Sequence, residues 1–185
     1  EQLKKLPVHE WRLENKWDGI RGQLIVRESG IFLWSRGEEL INVLFPEIIK
    51  MAEKIPCGTV LDGEILCWEN GSKTPMTFAS LKRRLGRKSV SNKLIKELPA
   101  KFVAYDLIEI RNEDQRNIPL INRIDQLEQL QKNTNDPDLI LGKCKKIDNW
   151  GQLKETRNKT AIEGAEGLMI KKLDSLYLSG RKRGN

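Results

Sequence analysis

Short apolar runs broken by glycine dominate the first third of this chain, and they restrict its fold more than any other feature. Trp11-Arg12-Leu13 alternates, Gln23-Leu24-Ile25-Val26 follows a break at Gly19 to Gly22, and Ile31-Phe32-Leu33-Trp34 follows the Ser29-Gly30 turn. Short strands punctuated in this way predict antiparallel meanders. Further strands are predicted at Val60 to Leu66, Lys101 to Glu109 and Gly167 to Ile170. Helices are predicted between them: Pro46 to Glu53, with Ile48, Ile49 and Ala52 on one stripe, and Phe78 to Leu85. Ser91 caps a helix ending near Leu98, and Pro119 to Gln131 carries Leu120, Ile124, Leu127 and Leu130 on one face. Asp148 is the expected N-cap of a helix running to about Ala161, with Gln152 near the capping-box position. Strands and helices mixed without strict βαβ alternation give an α+β fold, antiparallel sheets flanked by helices. Asn133 to Pro137 is the most flexible-looking connection.

A length of 185 residues fits one domain or two small ones. No uncharged apolar run reaches the ~18 residues of a membrane-spanning helix, and Glu1-Gln2-Leu3-Lys4-Lys5 has no apolar core behind it, so neither a membrane span nor a signal peptide is expected. Cys57, Cys67 and Cys144 are far apart and His9 is the only histidine, which excludes a zinc site of paired Cys/His ligands. An odd cysteine count without a secretory signal reads as reduced thiols in a cytoplasm.

The net charge of +7 is unevenly placed. Residues 75–99 carry a net +6 through Lys82, Arg83, Arg84, Arg87, Lys88, Lys93 and Lys96 against Glu97, and residues 171–185 a net +4; the remaining 145 residues come to −3. Two basic patches on a slightly acidic body suggest a polyanion-binding face, although solvated helix faces would look the same.

Four short constellations carry chemistry. Lys16-Trp17-Asp18-Gly19-Ile20-Arg21 sets a lysine at a strand end before an Asp-Gly turn. A nucleophilic lysine must lose its proton, through desolvation or neighbouring cations. Asp62-Gly63-Glu64 puts two carboxylates beside apolar strand residues, where burial is costly unless they bind a cation or a hydroxyl. Tyr105-Asp106 sets an aromatic ring before an acid in a buried strand; the ring can stack on a purine or simply pack a core. In Glu166-Gly167-Leu168-Met169-Ile170-Lys171, alternation places Gly167, Met169 and Lys171 on one face.

The order Lys16, Glu64, Tyr105, Glu166 resembles the covalent nucleotidyltransferases, specifically the adenylation domain of ATP-dependent DNA ligases. Lys16 to Arg21 resembles that family's KxDGxR and Glu166 to Lys171 its EGxMxK, with Ser35-Arg36, Asp62 to Glu64 and Tyr105-Asp106 between them. Phe78 to Lys88 and Asp174 to Gly184 look more like DNA ligases of the short prokaryotic or viral type than capping enzymes or RNA ligases. The resemblance covers about residues 10–184.

The resemblance implies an ATP-grasp-like nucleotidyltransferase fold around a nucleotide cleft and a catalytic Lys16 that forms a lysyl–AMP intermediate. AMP then passes to the 5′-phosphate of nicked double-stranded DNA for sealing to a 3′-hydroxyl. It implies nucleotide contacts from Glu14 (adenine amino group), Tyr105 and Met169 (adenine faces), Arg21 and Glu64 (ribose hydroxyls), Glu166 and Lys171. Mg²⁺ or Mn²⁺ would be held by Glu64 and Glu166, and DNA phosphates by Arg36, Lys82, Arg83, Arg84, Arg87 and Lys88. Implied too are DNA replication, repair or recombination as the setting, a monomer, no membrane partner, and a cytoplasmic or nucleoid-associated location. The family's final two-lysine motif would follow Asn185. The expectation is therefore an adenylation domain over residues 1–185 that stops before that motif, with an OB-fold domain of the same parent protein as partner. An RNA ligase, a capping nucleotidyltransferase and a non-catalytic basic nucleic-acid-binding module remain alternatives.

Overall fold

The computed structural model describes residues 5–178 and Gly180. Arg181, Lys182 and Arg183 of the second basic patch, and Glu1 to Lys4, lie outside the described residues.

Two antiparallel sheets face each other. The larger has the order β3-β2-β4-β5-β6, formed by β2 (Ile20–Arg27), β3 (Gly30–Ser35), β4 (Thr59–Cys67), β5 (Ala100–Ile110) and β6 (Glu113–Asp114), with β7 (Leu139–Leu141) added parallel to β5. The smaller pairs β1 (Trp11–Lys16) with β8 (Gly167–Lys172). The β2–β3 hairpin follows the predicted meander, but β1 leaves it. After Asp18-Gly19 the chain crosses to the other sheet, and β1 takes its partner from the far end of the sequence.

Four helices, α1 (Pro46–Ala52), α2 (Phe78–Lys82), α3 (Asn92–Glu97) and α4 (Leu120–Thr134), pack on the core of the larger sheet, and α5 (Leu153–Ile162) lies beside β8 of the smaller one. The core joins Leu24 and Leu33 to Phe45, Ile48 and Met51, then to Ile65, Leu81, Phe102, Leu127 and Leu130. Pro46 opens α1, Ser91 accepts from the Leu94 amide to cap α3, and α4 buries the stripe read from its period.

Three details differ from the sequence reading. The turn leading into α5 is capped by Asn149, whose side chain accepts from the Gly151 amide, one residue later than Asp148; Gln152 still reaches back to the Asp148 amide at 2.8 Å. The helix expected to reach Leu85 ends at Lys82. The 133–137 segment is tied down: α4 runs to Thr134, Asn135 closes it in the left-handed region at φ 44°, and Asp136 pairs with Lys54 at 2.6 Å. Among the described residues, no helix is long and apolar enough to cross a membrane, and all three cysteines are free thiols.

Candidate active site

The alternation of β1 puts Arg12, Glu14 and Lys16 on the face turned toward the larger sheet, and the β8 register sets Lys171, Met169 and Gly167 opposite them in turn. Lys16, at the end of β1, forms an ion pair with Glu166, which stands just before β8; the Glu166 amide also donates to the Lys16 carbonyl at 2.9 Å. A pair 150 residues apart in sequence is thereby closed by one strand pairing. The Lys16 side chain is 52% exposed and ion-paired, so of the two routes to a neutral lysine read from sequence, desolvation is not the one the free protein uses. Trp17 beside it packs edge-on against Trp68 at 5.6 Å.

Both Asp-Gly steps are steric necessities. A Cβ on Gly19 would collide with the Ile65 carbonyl and Leu66, and one on Gly63 with the Phe102 ring and the Val103 carbonyl. The glycines let β1 turn tightly against β4 and let β4 lie against β5, which brings both motifs to one place.

β5 carries two irregularities against β4. Gly63 faces Ala104 and Asp62 faces Asp106, leaving Tyr105 as the extra residue of a β-bulge. A bulge re-aims a side chain, and here it turns Tyr105 into the cleft, where its hydroxyl lies 3.3 Å from Asp62.

Asp62 is the hub. It is 1% exposed and accepts from Arg21 at 2.6 and 3.1 Å, from the Tyr177 hydroxyl at 2.9 Å and from Tyr105. The sequence argument that these carboxylates need a cation or a hydroxyl is met at Asp62 by one cation and two hydroxyls. Its hydrogen bond holds the Arg21 guanidinium even further up than usual. Burial, then the Asp62 charge, pushes the Tyr177 hydroxyl up to about 12 and the Tyr105 hydroxyl in the same direction. Glu64 stands across the strand pair from Arg21, and burial holds its carboxyl up at about 7, partly offset by the Gly19 amide.

Glu14 is 3% exposed, held by Arg12 and by Lys171 at 2.8 Å, with Gly142 against its carboxylate. Lys171 Nζ also lies 4.8 Å over the Tyr105 ring. Met169, opposite Glu14, is 41% exposed. Arg12 and Tyr177 were given no site role in sequence; Asp62 was read only as one of the two carboxylates of the Asp-Gly-Glu step, whose need for a cation or a hydroxyl was the signal that pointed to its partners.

The basic segment divides. Arg36, Lys82, Arg83, Arg87 and Lys88 are exposed. Arg84 is not: fully buried, it pairs with Glu47, donates to the carbonyls of Leu44 and Leu98 and stacks 4.8 Å from the Phe45 ring. It is a core residue, which corrects its assignment to DNA contact. A cavity of about 760 Å³ lies behind β1 against Trp11, Leu13 and Trp150 and includes none of the candidate residues.

A family model described as "ATP dependent DNA ligase domain" matches residues 1–185. The chain belongs to that family. Relatives include a probable DNA ligase of Koribacter versatilis, 29% identical over 92% of this chain and 33% of that protein. The DNA ligase of Acidianus ambivalens is 32% identical over 92% of this chain and 28% of that protein. The chain thus spans about a third of the length of these family members. Solved structures share the fold: mycobacterial DNA ligase D complexed with ATP and MES, at TM-score 0.74 and 24% identity over 97% of this chain and 54% of that one. Chlorella virus DNA ligase-adenylate follows, at 0.64 and 19% over 94% and 58%.

Proposed function

We propose that residues 1–185 are the adenylation domain of an ATP-dependent DNA ligase. The observation that carries this is the Lys16–Glu166 pair at the mouth of a cleft lined by Tyr105, Glu64 and Arg21. Lys16 Nζ, once it has lost its proton, would form a bond to the α-phosphorus of ATP while the bond to pyrophosphate breaks. Glu166 is the carboxylate in reach to accept that proton. The adenylate would then pass to the 5′-phosphate at a nick in duplex DNA, where a 3′-hydroxyl displaces AMP.

The residues present fit a nucleotide. Tyr105 offers a ring face and Met169 a polarizable one, Glu14 a buried acceptor for the adenine amino group, and Arg21 and Glu64 groups for ribose hydroxyls. Lys171 offers a cation for the base-side or phosphate contacts. Among the described residues, no group of three or more His, Cys, Asp or Glu is placed to hold a metal ion. That suits Mg²⁺ or Mn²⁺ taking most of its ligands from phosphates and water. Glu166 would be its protein ligand; Glu64, whose carboxyl keeps its proton toward pH 7, suits hydroxyl recognition better. The cation's contribution is to neutralise phosphate charge. Exposed Arg36, Lys82, Arg83, Arg87 and Lys88 would contact DNA phosphates, which position without reading sequence. An OB-fold domain of the parent protein is the proposed partner.

The test is intact mass after incubation with ATP and Mg²⁺. An acid-labile AMP adduct in wild type, absent in Lys16→Ala, is expected. No adduct in wild type or in a full-length parent would sink the proposal, and a GTP-derived adduct would select a capping-type enzyme.

A further inference from the structure

One ammonium engages both groups that the adenine slot needs. Lys171 Nζ lies 4.8 Å over the Tyr105 ring, donates to Glu14 Oε2 at 2.8 Å and to the Tyr105 carbonyl at 3.3 Å. Register puts it there: Lys171 stands opposite Arg12, and its side chain reaches diagonally to Glu14, two positions along β1. Arg12 takes the other Glu14 oxygen and the Gly142 carbonyl at 2.6 Å. A carboxylate 3% exposed must be compensated, and here two cations do it. On its α4 side, toward Ile124, Leu127 and Glu128, Glu14 borders a void of only about 10 Å³, room for no more than one water.

We propose that Lys171 is a specificity-determining placeholder for the base. It closes the slot in the free protein, and a base that brings its own N–H donor to Glu14 displaces it. This rests on the adenine-slot reading given above. Adenine carries an exocyclic amino group that can replace the Lys171 ammonium as donor. Hypoxanthine and guanine carry a carbonyl at that position, so Glu14 would face an oxygen with no proton between them, and a buried acceptor left unpaired is costly. Such a base leaves Lys171 in place. The closed state also lowers apparent affinity for every nucleoside by the fraction of molecules that are open.

The test is equilibrium binding of adenosine and inosine, which lack phosphates, to the 185-residue protein. Lys171→Met keeps the length and removes the charge. Adenosine should bind about fivefold tighter to it and inosine, which cannot displace Lys171 itself, should gain more, so that discrimination narrows. Lys171→Arg should stay within about twofold of wild type, because it restores the cation. If Lys171 serves only phosphate, Lys171→Met leaves adenosine unchanged and weakens ATP alone. That outcome overturns the placeholder and leaves the adenine slot standing. If wild type binds neither adenosine nor ATP, both fall together. A wild-type measurement avoids any folding defect of the variants: acetylation of Lys171 Nζ, read by peptide mass, should rise about threefold at saturating adenosine as the ammonium leaves Glu14. Unchanged reactivity would overturn the proposal.

Discussion

Among the arginine–carboxylate clusters of this domain, those around Arg84 and Asp62 serve different ends. Around Arg84, every polar atom is spoken for: Glu47 takes the guanidinium and the Ala100 amide, two carbonyls complete the donors, and the arginine has no exposed surface. Around Asp62 the acid is equally buried, but its arginine is 47% exposed and its remaining partners are two tyrosine hydroxyls. The first cluster joins α1 to the α2 and α3 segments and is closed. The second is anchored at the bottom and open at the top, so its groups can exchange partners with an incoming molecule. Burial of charge alone does not mark a site; burial at one end with access at the other does.

The contrast can be broken at several points. Arg84→Ala should be the most damaging, costing about 3–5 kcal/mol in denaturant unfolding because Glu47 is left charged and unpaired. Asp62→Asn should cost about 1–3 kcal/mol and should also weaken ATP binding, since Arg21 and Tyr105 both lose their anchor. Tyr177→Phe removes one hydrogen bond to Asp62, expected at about 0.5–1.5 kcal/mol. If it leaves nucleotide binding untouched, Tyr177 is a structural strap only.

Glu64 gives a pH signature. Its folded carboxyl titrates near 7 against an ordinary 4.5, so between those values the folded protein holds a proton that the unfolded chain has lost. Stability should fall as pH rises through that window, and Glu64→Gln should flatten the profile. The smallest effect on stability belongs to Arg83→Glu. Its exposed pair with Glu97 at 3.2 Å is worth under about 1 kcal/mol. DNA affinity should nonetheless drop, with the salt slope reduced by about one. A change in Arg83→Glu stability as large as that of Arg84→Ala would erase the distinction between the two neighbours.

Most elements were legible because their signals are local. The α4 stripe of Leu120, Ile124, Leu127 and Leu130, the Ser91 cap and the β4 and β5 runs each lie within a dozen or so residues. What was not legible is long-range or one residue wide. The pairing of β1 with β8 joins segments some 150 residues apart, and nothing in Trp11 to Leu13 distinguishes it from a meander strand. β7 is three residues long and finds its parallel place only beside β5. Arg83 and Arg84 read alike in sequence; the turn after α2 exposes one and buries the other.

The chemical inventory was set by sequence: an Asp-Gly step after a lysine, a second Asp-Gly step between carboxylates, an aromatic before an acid, and a carboxylate five residues from a lysine. The reason is that these depend on residue type and short spacing, and the two glycines are required by backbone contact at single positions. Tertiary structure decided who partners whom. It paired Lys16 with Glu166, made Asp62 rather than Glu64 the hub, used a bulge to aim Tyr105, withdrew Arg84 into the core and laid Lys171 over the ring. Those outcomes turn on strand register and burial, and both are fixed only when distant parts of the chain meet.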